Sequence, residues 1–425
     1  MESTSGEGFT FKNILVNYVE YVMNQYRATL HIKEEIEQGY EKSKKEYEEY
    51  IEANNLIPQD DVVDENIAES AILQSDKLVL KTSDLKSYNQ LVTKIGALSF
   101  LSDNILETQF VECITRFDVF LLNFMRKCFY AFPDRFGKQE RNIQLSELKE
   151  LKSIDELKYK IIDDELEKIF RDSHKEQLNY INKAFKIDFM KAAPTLYSSF
   201  IEITERRNLY IHCNGQVSTQ YIRVCKQENA KPASAQVKEK LPISLDYFIE
   251  SNGVLLSFAI IIAFSMWLKL SKQDEADACN SVISISNRLL KQNRPQIVID
   301  ILNYVISKSK ELQIQRKFVN KFYMYLLRAY SKIGDRESFE KILSVADFSD
   351  VNQSIQLALV VLQGKYEEAF DLLKEINGNE KVLQKSKLAI SEIFTGLILQ
   401  DNFDKIYQEI YGEEFHIEED KLSFN

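Results

Sequence analysis

Glycine and proline are scarce in this chain, 12 and 6 in 425 residues, and between them apolar residues recur at steps of three and four over long stretches. That combination dictates an all-α fold. An apolar share of 44% is that of a folded, globular protein, and the length accommodates two or three domains with their own cores.

The pattern from Phe11 to about Asn54 reads as one long helix. It is apolar at first, then charge-dense through KEEIEQGYEKSKKEYEEYIE, which suits an exposed arm or a coiled partner surface. Pro58 and the acids of NNLIPQDDVVDEN mark a linker. After Gly96, Phe110, Ile114, Phe117, Leu121, Phe124 and Cys128 form a seam for packing along another helix. Pro133 and Gly137 end it, and the basic cluster Arg135, Lys138 and Arg141 follows. Residues 146–186 read as a charge-rich helical insertion. Pro194 opens the next helix, anchored by Leu196, Phe200, Ile203, Leu209 and Ile211, and residues 226–242, with Pro232 and Pro242, form a loop. Val254 to Leu268 is uncharged but short of the ~20 residues that span a bilayer, so it reads as a buried or dimer-interface helix rather than a stable membrane insertion.

Beyond Gln273 come short helical hairpins: LLKQNRPQIVIDIL, LLRAYSKIGDRESFEKIL, LVVLQGKYEEAFDLL and LILQDNFDKIYQEIY, with Gly334 and Gly364 in turns. They resemble degenerate tetratricopeptide-type repeats, which stack into a superhelix and bind a regulatory protein on a concave face. A helical cap covering the rest of the molecule fits the same letters. The expected division is a helical arm and linker over 1–95, a helical domain over 96–272 and a repeat region over 273–425.

The segment that carries chemistry is Glu205-Arg206-Arg207-Asn208-Leu209-Tyr210-Ile211-His212-Cys213-Asn214-Gly215. On a helix, Asn208 and His212 are one turn apart and Arg207 lies one residue earlier, so a guanidinium, an amide and an imidazole share an edge. Gly215 reads as the helix stop. Histidine is the side chain that moves protons near neutral pH, and arginine holds phosphate bidentately and stabilises charge on its oxygens. A helix-terminal histidine also serves simply to cap carbonyls.

The string ERRNLYIHCNGQV resembles the signature of the HEPN family (higher eukaryotes and prokaryotes nucleotide-binding domains): Arg, a polar residue that is often Asn, three residues, His, then commonly Asn-Gly. Those elements stand at Arg207, Asn208, His212, Asn214 and Gly215. The resemblance implies a HEPN-like helical bundle over roughly 96–270 that forms a homodimer with two motifs in one cleft. It further implies a metal-independent endoribonuclease with Arg207, Asn208 and His212 as catalytic residues, cutting RNA such as tRNA or mRNA by 2′-hydroxyl attack. A toxin or antiphage role goes with it. Some members of the family are inactive, which leaves a non-catalytic helical scaffold as the alternative.

The net charge of -11 repels phosphate overall, so RNA contact needs a local basic patch. Arg206, Arg223, Lys226 and Lys231 supply candidates, although the same residues suit a solvated loop. Five cysteines without a CxxC pair suggest neither a disulfide framework nor zinc, and point to a reducing cytoplasm. Cys113 and Cys128 read as core residues. The N-terminus lacks the basic start and apolar run of a signal peptide. No phosphate loop, GxSxG elbow or HExxH pair occurs, no cofactor or metal is implied, and His31, His174 and His416 lack ligand spacing.

Overall fold

The computed structural model describes residues 10–53, 82–133, 153–230, 235–349 and 351–415. The expected linker at Pro58, the basic cluster at 135–141, Lys231 and His416 lie outside them. The described residues form α-helices joined by short turns and no strand, as the glycine and proline scarcity requires. They divide into two compact units, 1–259 and 260–425.

In the first unit, α1 (Phe11–Ala53) and α2 (Thr82–Ala131) form an antiparallel hairpin. Phe11, Leu15, Tyr18, Val19, Val22 and Met23 recur at helical spacing and are buried. Their partners lie on the seam of α2: Phe11 meets Phe124 at 5.2 Å and Tyr18 stacks on Phe120 at 4.4 Å. The charge-dense half of α1 is the coiled surface rather than a free arm. Ile36, Ser43 and Ile51 are buried along it, Tyr47 meets Tyr88, and Lys94 pairs with Glu46 at 3.7 Å. Helix α2 runs without a break through Gly96, where a Cβ would meet nothing within 4 Å. A glycine there costs the helix only about 1 kcal/mol, which packing on α1 readily offsets. The arm and the motif-bearing helices therefore belong to one unit instead of separating at position 95.

The charge-rich stretch after it folds as α3 (Ile154–Arg171) and α4 (His174–Phe185), each opened by a serine N-cap, Ser153 and Ser173. Leu166, Ile169, Leu178, Ile181 and Phe185 are buried, so these helices are part of the core and not an appendage. Asp163 is half-exposed yet engaged, accepting from Arg126 at 2.9 Å and from Tyr130 Oη at 3.1 Å. After the single turn α5 (Phe189–Ala192) come α6 (Pro194–Cys213), α7 (Thr219–Gln227) and α8 (Leu245–Leu270).

Helix α8 is long and apolar enough to cross a membrane, but 83% of its most apolar window is buried within the protein. The unit boundary falls inside it. In the first unit Phe258 stacks on Phe200 at 4.5 Å and meets Phe189 at 5.5 Å. In the second, Phe264 meets Phe322 at 6.4 Å and Ser265 hydrogen-bonds Tyr304 at 3.0 Å. The boundary thus lies at 259/260 where position 272 was expected, because α8 continues past the change in composition.

The second unit consists of the helix pairs read from the sequence. Helices α9 (Glu275–Lys291) and α10 (Pro295–Ser307) turn at Asn293, and α11 (Arg316–Ile333) and α12 (Arg336–Val345) turn at Gly334. Helices α13 (Gln353–Leu362) and α14 (Tyr366–Ile376) turn at Gly364. The left-handed φ of +73° at Gly334 and +76° at Gly364 is the conformation that glycine adopts without strain. Short α15 (Lys385–Ile390) and α16 (Thr395–Ile398) lead to α17 (Phe403–Tyr411), and Leu327, Leu357, Leu373, Leu397 and Phe403 bind the later pairs into one core.

Candidate active site

The motif occupies the last turns of α6. Pro194 opens this helix at its first-turn position, where the missing N–H is no loss. Tyr197, Phe200, Ile201, Ile203 and Leu209 are buried, whereas Ile211, expected as an anchor, is 46% exposed because the helix is already leaving the core. The helix is clamped by a polar node. The Glu202 carboxylate accepts from Tyr221 Oη of α7 at 2.6 Å, Tyr247 Oη of α8 at 2.6 Å and Arg206 Nε at 2.7 Å. Arg206 also lies 3.8 Å over the Tyr247 ring. Burial pushes the Glu202 carboxyl upward, against the pull of Arg206 and the two tyrosine hydroxyls.

This corrects the expectation that Arg206 contacts RNA. Its guanidinium is buried in an ion pair one helical turn from Glu202, so it fixes the helix and offers phosphate nothing. Helix α6 stops at two successive left-handed residues, Asn214 at φ +50° and Gly215 at φ +75°, with the Gly215 N–H donating to the Leu209 carbonyl at 3.1 Å. The segment beyond is pinned: Val217 N–H donates to Glu239 O, Leu241 N–H to Gly215 O, and Tyr210 Oη to Leu241 O at 2.6 Å. The loop after α7 therefore braces the end of the motif, at least through its described residues 235–241.

Arg207 and Asn208 face the other way, into an open cavity of about 440 Å³ lined also by Asp118, Leu122, Arg171, His174 and Gln177. Arg207 Nη1 donates to Asn208 Oδ1 at 3.3 Å, and Nη2 lies 3.7 Å from Asp118 Oδ2. Among the described residues, Arg207 Nε is buried without a hydrogen-bond partner. A buried donor left unpaired costs about 1–3 kcal/mol. His174, the first residue of α4, places Nε2 2.7 Å from Asp118 Oδ1, and its ring meets Phe200 edge-on. Asp118 thus bridges the imidazole and the guanidinium.

His212 stands apart from this cavity. It is exposed in the last turn of α6. Arg223 and Lys226 are exposed on α7, also outside the cavity. Burial pushes the Glu205 carboxyl up, while His174 and Arg223 pull it down. Cys213 is an exposed free thiol, and the other four cysteines are buried.

Sequence reasoning passed over His174 and Asp118. They are 56 residues apart, and no spacing rule joins them. The one available signal was Asp118 itself, a carboxylate directly after Phe117 in an otherwise apolar seam. Comparison of the chain with protein-family models, with curated proteins and with solved structures returned no match.

Proposed function

We propose that this protein is a HEPN-type endoribonuclease that cleaves RNA by attack of the 2′-hydroxyl on the adjacent phosphorus. The observation that carries the reading is Arg207: its side chain lines an open cavity beside Asn208, with Nε buried and without a hydrogen-bond partner among the described residues, and His212 follows five residues later at the exposed end of the same helix. A scissile phosphate in that cavity would meet the guanidinium, which stabilises the charge that grows on the non-bridging oxygens. Asn208 orients the guanidinium through its side-chain oxygen. His212 moves a proton, and a second copy of the chain brings another motif to complete the cleft. A toxin or antiphage role follows from the same resemblance, with the helix pairs of the second unit as the docking region for a control partner.

A non-catalytic scaffold is the second reading, favoured by the position of His212 outside the cavity and by the approach of Asp118 to Arg207. The two readings separate in one experiment. Wild type, Arg207→Ala and His212→Ala are incubated with total tRNA and with mRNA in EDTA, and folding and dimer mass are followed in parallel. The ribonuclease reading expects cleavage by wild type and a loss of about a hundredfold or more in each variant, at unchanged fold and mass. Dimeric, folded wild type that leaves RNA intact favours the scaffold.

A further inference from the structure

We propose that His174, held by Asp118, is a second proton-transfer residue of the Arg207 cavity; the proposal rests on the ribonuclease reading above. Cleavage by 2′-hydroxyl attack requires two proton movements. One proton leaves O2′ as the O2′–P bond forms, and one reaches O5′ as the P–O5′ bond breaks, giving a 2′,3′-cyclic phosphate and a 5′-hydroxyl. His212 accounts for one of them. The imidazole that shares a cavity with Arg207 and Asn208 in the same chain is His174.

The geometry assigns its role. An ionised carboxylate only accepts, so Asp118 at 2.7 Å fixes the proton on Nε2 and leaves Nδ1 with its lone pair as the base. Edge contact with Phe200 holds the ring plane. His174 sits at the start of α4 and lines the cavity, whereas His212 sits in the last turn of α6 outside it. His174 therefore takes the O2′ proton on Nδ1 and the His212 that a second copy of the chain brings to the cleft gives a proton to O5′, with Asp118 as the positioning residue. The charged and titratable groups around His174 are Asp118 on α2, Arg171 and Asp172 before α4, and Glu205 and Arg207 on α6. Gln177 of α4 completes the wall, donating to the Asp172 carbonyl at 3.0 Å.

The test compares single-turnover cleavage of total tRNA by wild type, His174→Ala, His174→Gln and Asp118→Asn across the pH range, with and without added imidazole. His174→Ala should slow cleavage by about a hundredfold or more and remove the acid limb of the rate profile, and imidazole should restore part of the rate. His174→Gln keeps a donor for Asp118 without titrating, so a folded but slow Gln variant separates proton transfer from packing. Asp118→Asn should slow the reaction at least tenfold, on the order of losses seen when a base loses its orienting carboxylate. Wild-type rate and profile in the His174 variants, with His212→Ala inactive, overturn this proposal alone. A slow His174→Ala that keeps both limbs and ignores imidazole also overturns it, since the role is then structural. Failure of wild type to cleave removes the ribonuclease reading and this one with it.

Discussion

Replacing Glu202 by Gln tests the polar node that fixes the motif helix. The carboxylate holds three donors at 2.6–2.7 Å, and one of them is the buried guanidinium of Arg206. Gln keeps the shape and removes the charge. Arg206 cannot respond by losing its proton, since a guanidinium stays protonated in proteins, so the variant retains an uncompensated buried cation. Breaking such a pair costs about 3–5 kcal/mol, and the two tyrosine hydroxyls lose a charged acceptor worth about 1 kcal/mol more per bond than a neutral one.

The reverse substitution, Arg206→Met, behaves differently. Glu202 can then protonate, and burial already pushes its carboxyl upward. A carboxyl raised in the folded state carries its cost above the folded pKa and sheds it as pH falls, so Arg206→Met recovers stability relative to wild type on acidification, whereas Glu202→Gln does not. The double variant should cost less than Glu202→Gln alone. Hydrogen exchange of the amides in 194–213 reads the local opening free energy, which avoids a two-state assumption for a chain of two units. Additive single effects, or a Glu202→Gln cost below about 1 kcal/mol, would refute this account of the node.

Burial raises the Asp300 carboxyl from 3.8 to about 6, against a hydrogen bond from Gln296. The ionised form therefore costs stability above pH 6, and the cost disappears as pH falls toward 4. Asp300→Asn should stabilise the second unit by on the order of 2 kcal/mol at neutral pH and by nothing in acid, read as the difference in urea midpoints. Gly215→Ala should lose about 1–2 kcal/mol by hydrogen exchange of α6, because φ is +75° and the new Cβ would approach the Tyr210 ring at 3.1 Å. Phe200→Ala should cost about 3–5 kcal/mol by the same measure, since this fully buried ring packs on Phe117, Phe258 and His174.

Much of the architecture was legible in the letters. The reach of α1, the start of α6 at Pro194, its stop at Asn214-Gly215 and the turns at Gly334 and Gly364 all follow local rules of capping and backbone conformation. Those rules act within a few residues. Gly96 misled because one flexible residue does not break a helix that packs along its length, and α8 hid the unit boundary because it crosses it. The fate of Arg206 was half legible, with Glu202 one turn before it, but the closing partners Tyr221 and Tyr247 come from other helices. Asp118 and His174 were illegible for the same reason: tertiary packing, not spacing, brings α2 and α4 to the Arg207 face.

The proposed roles of Arg207 and His212 in an attack by the RNA 2′-hydroxyl are read from the chemical ends of the cut. Wild-type protein is given a labelled RNA oligonucleotide and its counterpart with 2′-deoxy sugars throughout, and the products are resolved by mass. The RNA should give fragments ending in 2′,3′-cyclic phosphate and 5′-hydroxyl, and the deoxy strand should stay intact. Cleavage of the deoxy strand, or fragments that carry 5′-phosphate, would contradict those roles.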